Sequence, residues 1–389
     1  MYTVPAQGSG IYTEAVIPVP HAPWKVTPID WYRFLERPRL PSPSVQSLEQ
    51  LQESSMLVTG AGGSIGSALS LQLAKLQPRQ LTLLDTSEQA LYRLQSAFAG
   101  AALPIEPNVV LANITGSAHL EEIFENHRPQ LIFHAAAYKH VPLLEEHPLE
   151  AIANNALGTL NLVECAKKHT IARIVLLSTD KAVAPTSILG ASKRIAEQIT
   201  LAHGGVVLRL GNILGSEGSV SETFLRQIAA GGPVTLTDHS AERYFLTCEE
   251  AVDLLLASTA AHPGSLLVPD LNRQCSIVSL AEFLLSNCLP HSRPTIVFTG
   301  LRPGDKICEA LWSSDEQPLF PPERGYLKIE QRTPDPLLLQ RELSRLANAV
   351  QERNLLDTLD VVLRLVPGYT PSATVLALLH RSALGASHR

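Results

Sequence analysis

From Met56 onward, short apolar runs alternate with segments of helical periodicity, and this alternation restricts the chain to few folds. The runs cover residues 56–59, 81–85, 109–113, 131–136, 173–179 and 205–210. Helical segments such as 151–169 and 190–203 separate them. A strand that is apolar along its whole length is typical of a sheet covered on both faces. The pattern therefore predicts an α/β fold with a doubly wound parallel sheet.

The rest of the chain divides around this core. Residues 1–53 are rich in proline, lack sustained periodicity, and are predicted to form an N-terminal arm ahead of the core at 54–212. Over 213–335 glycine and proline interrupt the alternation. This predicts a mixed region that holds a smaller substrate-binding subdomain and the remaining core elements. Apolar residues at helical spacing in 336–389 predict two C-terminal helices.

Composition and charge argue against several classes of protein. With 45% apolar and 17% charged residues, the 389-residue chain resembles neither a disordered protein nor a membrane bundle. It has no signal-peptide pattern and no run near the roughly 20 apolar residues of a spanning helix, so a cytoplasmic protein without a membrane span is expected. The net charge of −6 predicts no nucleic-acid partner. The five cysteines form no Cys-x-x-Cys pair and the 13 histidines show no ligand spacing, so no metal is predicted.

A glycine-rich turn, Thr-Gly-Ala-Gly-Gly-Ser-Ile-Gly, directly follows the first apolar run and leads into a helical segment. The first glycine permits a tight turn, the third lets backbone amides approach a pyrophosphate, and the last lets the helix pack against the strand. The helix N-terminus then faces the anion. This order of elements predicts a Rossmann site for NAD(P). The cofactor-binding residues predicted in the turn are Gly60, Gly63, Ser64, Ile65 and Gly66.

The second apolar run ends at Asp85, where a carboxylate can accept hydrogen bonds from an adenosine ribose. Its negative charge favours NAD over NADP, because a carboxylate repels a 2′-phosphate. Ser87 and Arg93 follow closely and could reverse that preference. The choice between NAD and NADP stays open.

Two further segments are predicted to contact the ligands. Asn113, followed by Ile114, is placed for the adenine, although a turn-forming Asn fits that position equally well. Ala135 and Ala136 leave the fourth run and should let the backbone approach the cofactor. Lys139, three residues later, should reach the active site.

A hydroxyl, a carboxylate and an amine stand side by side where the fifth run ends, at Thr179, Asp180 and Lys181. Ligands of open α/β sheets bind at the carboxyl ends of the strands. Polar groups at such a position are costly to bury without a use. This strand end is therefore the predicted place of the chemistry.

With these residues in view, the chain resembles the CapD-like polysaccharide-biosynthesis proteins. These are UDP-N-acetylglucosamine 4,6-dehydratases of the extended short-chain dehydrogenase superfamily. The resemblance spans residues 56–371 and includes LVTGAGGSIGSAL, HAAAYKHVPLLEEHPLEAIANNALGTLN, LLSTDKAVAPTSILGASKRIAEQ, LRLGNILGSEGSV, ERYFLTCEEAVDLLL and TGLRPGDKICEALW. Longer relatives carry a membrane region ahead of this domain, and no such segment is read in this sequence.

The resemblance implies a mechanism for the strand end. Transient oxidation at C4 makes a 4-keto sugar and acidifies the C5 proton. Lys181, held neutral by burial and by Lys193 or Lys139 nearby, would remove that proton. Asp180, protonated, would then protonate the C6 hydroxyl as it leaves as water, and Thr179 would donate a hydrogen bond to O4.

One position departs from the superfamily pattern. Lys193 corresponds to the lysine that follows a catalytic tyrosine by one helical turn, but the tyrosine position holds Leu189. Leucine accepts no proton, so which group takes the C4 hydroxyl proton stays open. Lys193 is predicted to serve catalysis and to bind the nicotinamide ribose.

The resemblance also implies the substrate and its contacts. A UDP-sugar is expected, with Lys139, Asn212, Arg243, Arg302 and Glu309 as the substrate-binding residues. Arg302 lies in an Arg-Pro-Gly-Asp turn, where a guanidinium can clamp a diphosphate. A homo-oligomer is expected by resemblance only. Two alternatives remain: a C4 or C5 epimerase, and a protein that binds NAD(P) and a UDP-sugar but has lost catalysis.

Overall fold

The structure is a computed structural model that describes residues 29–101, 103–171, 173–288, 294–323, 325–331 and 335–386. The first 28 residues of the predicted arm lie outside the described residues.

A nine-stranded sheet forms the centre of the molecule. Its strands are β1 (Ser55–Thr59), β2 (Gln80–Asp85), β3 (Asn108–Leu111), β4 (Leu131–His134), β5 (Arg173–Thr179), β6 (Val206–Leu210), β7 (Leu266–Pro269), β8 (Gln317–Glu323) and β9 (Tyr326–Glu330). Their order across the sheet is β8-β9-β7-β6-β5-β4-β1-β2-β3. Strands β1 to β7 run parallel, whereas β9 is antiparallel to both β7 and β8. The predicted doubly wound fold is confirmed, and the six predicted runs differ from β1–β6 only at their ends.

Helices cover both faces of this sheet. The α-helices are α1 (Trp31–Leu35), α2 (Val45–Gln52), α3 (Ser64–Lys75), α4 (Glu88–Gly100), α5 (Ser117–His127), α6 (Val141–Glu146), α7 (Pro148–Ala151), α8 (Gly158–Lys168), α9 (Ile188–Ala202), α10 (Val220–Ala229), α11 (Cys248–Ser258), α12 (Ile277–Cys288), α13 (Pro336–Gln351), α14 (Leu355–Leu365) and α15 (Ala373–Ala386). A π-helical stretch, Ile152–Leu157, joins α7 to α8. One buried cluster packs α5, α8, α9, α13 and α14 against the sheet, and a second packs α3 and α11 against the other side. No helix in the described part of the chain is long and apolar enough to cross a membrane.

Strand order reverses between β1 and β4, because β2 and β3 lie on one side of β1 while β4, β5 and β6 lie on the other. Helices that follow β1 and β4 therefore leave toward opposite faces, and a crevice opens at the carboxyl ends of the two strands. Thr59, the last residue of β1, pairs with His134, the last residue of β4. The register thus places the glycine turn directly beside the segment that follows β4.

The mixed region builds a small unit next to the carboxyl edge of the sheet. Three two-stranded sheets pair residues 212–213 with 245–246, 242–243 with 275–276, and 234–236 with 296–298. Helices α10 and α12 pack around buried Phe224, Phe245 and Leu280. The same region supplies β7, β8 and β9 to the main sheet.

The ends of the described chain are more ordered than the sequence pattern indicates. Phe34 and Leu35 of α1 are buried in the cluster of the small unit, and Arg37 pairs with buried Glu250 at 2.6 Å. Five residues are too short a helix to display a periodicity. The tail contains the two expected helices, α13 and α14, and a third, α15. The domain limits at 53, 212 and 335 stay a prediction.

Candidate functional site

A cavity of about 1340 Å³ opens at the carboxyl edge of the sheet. Its wall includes the glycine turn, the segment after β4, the end of β5, one face of α9 and parts of the small unit. The chemistry-bearing segments that the sequence singled out are therefore brought together. The cavity is large enough for a dinucleotide together with a second ligand.

The glycine turn leaves no room for side chains. Gly60 has φ +69°, and a Cβ there would lie 2.6 Å from the backbone nitrogen of Ala136. A Cβ on Gly66 would lie 2.0 Å from the carbonyl oxygen of Gly60. Gly63 precedes α3 and offers no capping side chain, so the amides of the first helical turn, at Ser64 and Ile65, meet no side-chain acceptor from the cap. This geometry fits the pyrophosphate of NAD(P).

Asp85 ends β2 beside this turn and lines the cavity together with Ser87 and Arg93. Its Oδ2 accepts a hydrogen bond from the amide of Gly62 at 2.9 Å, and its Oδ1 accepts one from the amide of Ser87 at 2.9 Å. The carboxylate thus fixes the turn as well as facing the position expected for a ribose. A guanidinium and a carboxylate share the wall, and the preference between NAD and NADP stays open.

Asn113 and Ile114, which lie shortly after β3, differ in whether they line the cavity. Asn113 is exposed, and its Oδ1 accepts a hydrogen bond from the amide of Thr115 at 2.9 Å. The side chain closes a local turn and is outside the cavity wall, so the adenine role predicted for Asn113 is not supported and the turn-forming alternative is favoured. Ile114 is buried and does line the cavity.

The segment after β4 lies against the glycine turn, while its predicted approach to the cofactor stays a prediction. The amide of Ala135 donates to the carbonyl of Thr59 at 3.0 Å, and Ala135 and Ala136 line the cavity. His134 lies beneath them and bonds the hydroxyls of Thr59 and Thr159 at 2.7 and 2.9 Å. Burial lowers the pKa of His134 to about 3, so it is a satisfied neutral core group.

Lys139 lies in the cavity wall, but its amine donates a hydrogen bond away from Lys181. Its Nζ donates to the carbonyl of Glu217 at 2.5 Å, on the loop that precedes α10. Burial lowers the pKa of Lys139, and the charges of Glu217 and Glu222 oppose that effect.

The end of β5 presents the amine and holds the carboxylate behind it. The hydroxyl of Thr179 donates to Oδ1 of Asp180 at 2.9 Å, and Nζ of Lys181 donates to the same oxygen at 3.0 Å. Lys181 also donates to Oδ1 of Asn212 at 3.2 Å. The Asp180 side chain is 0% exposed, whereas that of Lys181 is 23% exposed and lines the cavity with Thr179.

The charge expected on Lys181 needs correction. Burial alone would lower the pKa of Lys181, but the carboxylates of Asp180 and Glu309 outweigh it and raise the pKa above the usual value. Glu309 Oε1 lies 3.6 Å from Nζ. The amines of Lys139 and Lys193, which were expected to keep Lys181 neutral, are bonded to other carbonyls. In the arrangement seen here Lys181 is a cation.

Lys193 lines the cavity one helical turn after Leu189, on the same face of α9. Its Nζ donates to the carbonyl of Leu177 at 2.8 Å. Burial lowers the pKa of Lys193 to about 8, although the charge of Glu197 acts in the opposite direction. The amine that approaches neutrality is therefore Lys193 rather than Lys181.

The predicted substrate residues differ in whether their side chains are free to meet a ligand in the cavity. Asn212 and Arg302 line the cavity, and the Arg302 side chain is 57% exposed and paired with Asp305 at 2.8 Å. Arg243 also lines the cavity, but its guanidinium donates to the carbonyls of residues 242, 306 and 307. Glu309 is buried and outside the wall, so a direct contact with UDP is not supported for it.

A buried ionic network lies next to β5, and it was not predicted from the sequence. Arg209 on β6 donates to the carboxylates of Glu197 and Glu316 at 2.7 to 2.9 Å, and all three side chains are buried. Ser178, next to Thr179, donates to Glu197 at 2.6 Å. The network connects β5 to α9, the helix that carries Lys193. Its members are far apart in the chain, so no local motif could indicate it.

One cluster could in principle hold a metal ion. Ligand atoms of Glu121, Cys165 and His169 lie within 4.8 Å of one another. The amine of Lys168 already lies 2.8 Å from the Glu121 carboxylate, and burial raises the pKa of the Cys165 thiol to about 12. We propose no metal there.

Residues 56–324 match the family described as polysaccharide biosynthesis protein. The chain belongs to this family. It is 39% identical over 292 residues to the capsular polysaccharide biosynthesis protein CapD of Staphylococcus aureus, a match that covers 72% of this chain and 48% of that protein. The chain spans about half the length of the first curated relatives it matches.

Solved structures share the fold of this family member. Pen from Bacillus thuringiensis superposes with a TM-score of 0.67 at 26% identity, covering 73% of this chain and 89% of the other. DesIV, a dTDP-glucose 4,6-dehydratase from Streptomyces venezuelae with NAD bound, superposes with a TM-score of 0.57 at 20% identity, covering 66% and 87%. The resemblance inferred from the sequence motifs is thus confirmed at the level of family and fold.

Proposed function

We propose that this chain is an NAD(P)-dependent sugar-nucleotide 4,6-dehydratase that acts on a UDP-hexose, with UDP-N-acetylglucosamine as the first candidate. The observation that carries the proposal is the Asp180–Lys181 pair at the end of β5, whose amine faces the same cavity as the glycine turn. Transfer of a hydride at C4 alone needs no acid–base pair for C5 and C6, whereas loss of water does.

The glycine turn, Asp85, Ile114, Ala135, Ala136 and Lys193 would hold the cofactor. When bound, NAD(P) supplies a reversible acceptor for the hydride that leaves C4 and later arrives at C6. Asn212 and Arg302 would hold the sugar and the diphosphate, since both lie in the cavity wall. A guanidinium suits a diphosphate because it offers several donors in one plane.

The Asp180–Lys181 pair supplies both proton transfers once substrate covers it. Water now reaches the exposed part of Lys181, and a bound sugar would exclude that water. Loss of solvent disfavours two separate charges, so the proton can pass over 3.0 Å from Nζ of Lys181 to Oδ1 of Asp180. This produces the neutral amine and the protonated carboxyl that the mechanism requires.

The protons then balance as follows. The neutral Lys181 takes the C5 proton, and the C6–oxygen bond breaks as the proton of Asp180 reaches the leaving hydroxyl. Thr179 can relay that proton, because its hydroxyl contacts Asp180 and faces the cavity. Lys181 finally returns a proton to C5. The C4 hydroxyl proton goes to Lys193, because the lowered pKa of about 8 makes a neutral amine accessible there. This proton replaces the proton that Asp180 gave to the leaving hydroxyl.

The test is to incubate the protein with NAD(P) and a panel of UDP-sugars in deuterated solvent and to weigh the products. Loss of one water together with deuterium at C5 is the expected result. A new sugar nucleotide that separates from the substrate by chromatography and has lost no water would instead establish an epimerase; a C5 epimerase would add one deuterium at C5 and a C4 epimerase none. Tight binding of dinucleotide and UDP-sugar with no new sugar nucleotide and no deuterium at C5 would establish a protein that has lost catalysis.

A further inference from the structure

Glu309 lies beside the amine of Lys181 and outside the cavity wall, a position that no sequence pattern indicated. Its side chain is 3% exposed, and Oε1 is 3.6 Å from Nζ of Lys181. Its other oxygen, Oε2, lies 3.2 Å from Nζ of Lys306. The carboxylate therefore stands between two amines, one of which faces the cavity.

The position of this carboxylate is fixed by backbone contacts on several sides. Arg243 donates to the carbonyls of Lys306 and Ile307, each at 2.7 Å. Lys306 donates to the carbonyl of Val183, in the segment that follows the turn of Lys181, at 2.8 Å. The amide of Glu309 donates to the side chain of Gln274 at 3.2 Å. These contacts hold the segment 306–309 against the turn that carries Lys181.

Lys181 is surrounded by charges of both signs. Asp180 and Glu309 attract its ammonium group, and Arg243 repels it. Burial and the charge of Asp180 together raise the pKa of the nearby Tyr244 phenol. Asp180 has Lys181 as its cation, whereas Glu309 has the second cation Lys306 as well. Nζ of Lys181 donates a hydrogen bond to Asp180 at 3.0 Å, whereas the nearest oxygen of Glu309 lies 3.6 Å away, beyond hydrogen-bond distance. The proton leaving Lys181 should therefore pass to Asp180, not to Glu309.

We infer that Glu309 is a positioning residue for Lys181: together with Lys306, it aims the amine at the cavity and keeps the shared proton on that amine until substrate is bound. The inference rests on the proposed function only in treating Lys181 as catalytic. It reassigns Glu309 from the UDP contact implied by the family resemblance to the control of a proton.

The test measures the reactivity of Lys181 directly, in the ligand-free 389-residue chain. Trace acetic anhydride labels neutral amines, and mass spectrometry reports the acetylation of each lysine across a pH series. Removing an opposite charge at this distance should move the Lys181 profile down by about one pH unit in Glu309→Gln. At a pH below the midpoint, labelling of Lys181 should then be about tenfold faster than in the wild type.

Two variants control this measurement. Glu145→Gln removes another buried carboxyl group, 1% exposed and bonded to the amide of Ile188, and should leave the Lys181 profile unchanged. Glu309→Asp keeps the charge but shortens the side chain, so its profile should lie between those of wild type and Glu309→Gln. If Glu309→Gln and the wild type label Lys181 with the same pH dependence, the inference is overturned.

Binding of UDP separates this role from a substrate contact. Calorimetric titration should give the same dissociation constant for UDP, within about twofold, in wild type and Glu309→Gln, because the carboxylate is outside the cavity wall. A large change in UDP affinity with an unchanged labelling profile would restore the UDP contact. Since neither readout requires turnover, failure of the dehydratase assay with a shifted labelling profile would reject the proposed function alone.

Discussion

The cavity has two sides: the glycine turn, where we propose that the dinucleotide binds, and the surroundings of Lys181, where we propose that the sugar binds. These two sides, called here the dinucleotide side and the sugar side, are built by different kinds of contact. On the dinucleotide side, the constraints are steric and come mainly from backbone, as at Gly60 and Gly66, where a Cβ would meet backbone atoms. On the sugar side, the constraints are charges: Lys181 lies among Asp180, Glu309 and Arg243. The glycine turn should therefore be insensitive to pH, whereas the charged groups around Lys181 should change their proton distribution whenever solvent or ligand changes.

The largest expected effect tests the sugar side at its centre. Lys181→Ala removes the amine that faces the cavity, and the loss of one general acid–base group should lower dehydration by 10²- to 10⁴-fold. Binding of NAD(P) should persist, because the glycine turn is untouched. Product mass spectrometry measures the first quantity and fluorescence titration the second.

Lys75→Ala, on an exposed position of α3, serves as the control and should keep full turnover. Near wild-type turnover in Lys181→Ala would remove Lys181 from the mechanism. Loss of NAD(P) binding in that variant would show that the two sides are not separate.

The next effect concerns the network that joins the two sides. Arg209→Met removes the fully buried cation that joins the carboxylates of Glu197 and Glu316, and leaves the partly exposed Arg194 as their remaining shared cation. Removing one partner of a buried ionic group costs about 3–5 kcal/mol of unfolding free energy, and the contacts kept by Arg194 place the expected loss toward the lower end of this range. Urea unfolding at neutral pH measures the loss.

Arg353→Met is a matched control, because it breaks an ion pair with Glu150 in which both side chains are at least half exposed. Its cost should be below about 1 kcal/mol. Equal losses in the two variants would mean that the buried network does not stabilise the junction of β5, β6 and α9.

The dinucleotide side could be predicted from the sequence better than the sugar side. Apolar runs and the glycine turn are local patterns, so the positions of β1 to β6 and of the glycine turn in the chain could be predicted from the sequence alone. The adenine contact of Asn113 is not supported, because an Asx turn and an adenine contact need the same residue type at the same position. Motif membership places a segment near the site but does not orient its side chains, so a UDP contact is not supported for Glu309, whereas that of Arg243 stays a prediction. The Arg209 network had no signal, since its partners meet only in the folded chain.

A smaller effect sharpens the contrast within α9, where a charged group lies on the dinucleotide side. The pKa of Lys193 is lowered to about 8 in the fold, against about 10.5 for an exposed lysine. Between these pH values the unfolded chain binds more protons, so stability should rise as pH increases from 8 to 10.5. Below pH 8 the full cost of burying the charge is present, on the order of 3 kcal/mol at most.

Lys193→Met should remove this dependence, giving higher stability than the wild type at pH 7 and a smaller difference at pH 10.5. Thermal unfolding at several pH values measures the change. Lys75→Met is the control, since an exposed lysine should leave the wild-type pH slope intact. The same pH slope in Lys193→Met and wild type would contradict the lowered pKa.

The smallest effect is expected at Leu189, where the two sides meet. Leu189 is 5% exposed, lines the cavity and precedes Lys193 by one helical turn. A tyrosine there would bring a phenol close to the amine of Lys193, and a nearby cation lowers a phenol's pKa so that it can accept the C4 hydroxyl proton. Leu189→Tyr should therefore keep or raise the turnover number, while Leu189→Phe, which adds the ring without the hydroxyl, should not raise it. If both aromatic variants lose cofactor reduction to the same large extent, ring volume decides the outcome, and the cavity is shaped around leucine by packing rather than by proton transfer.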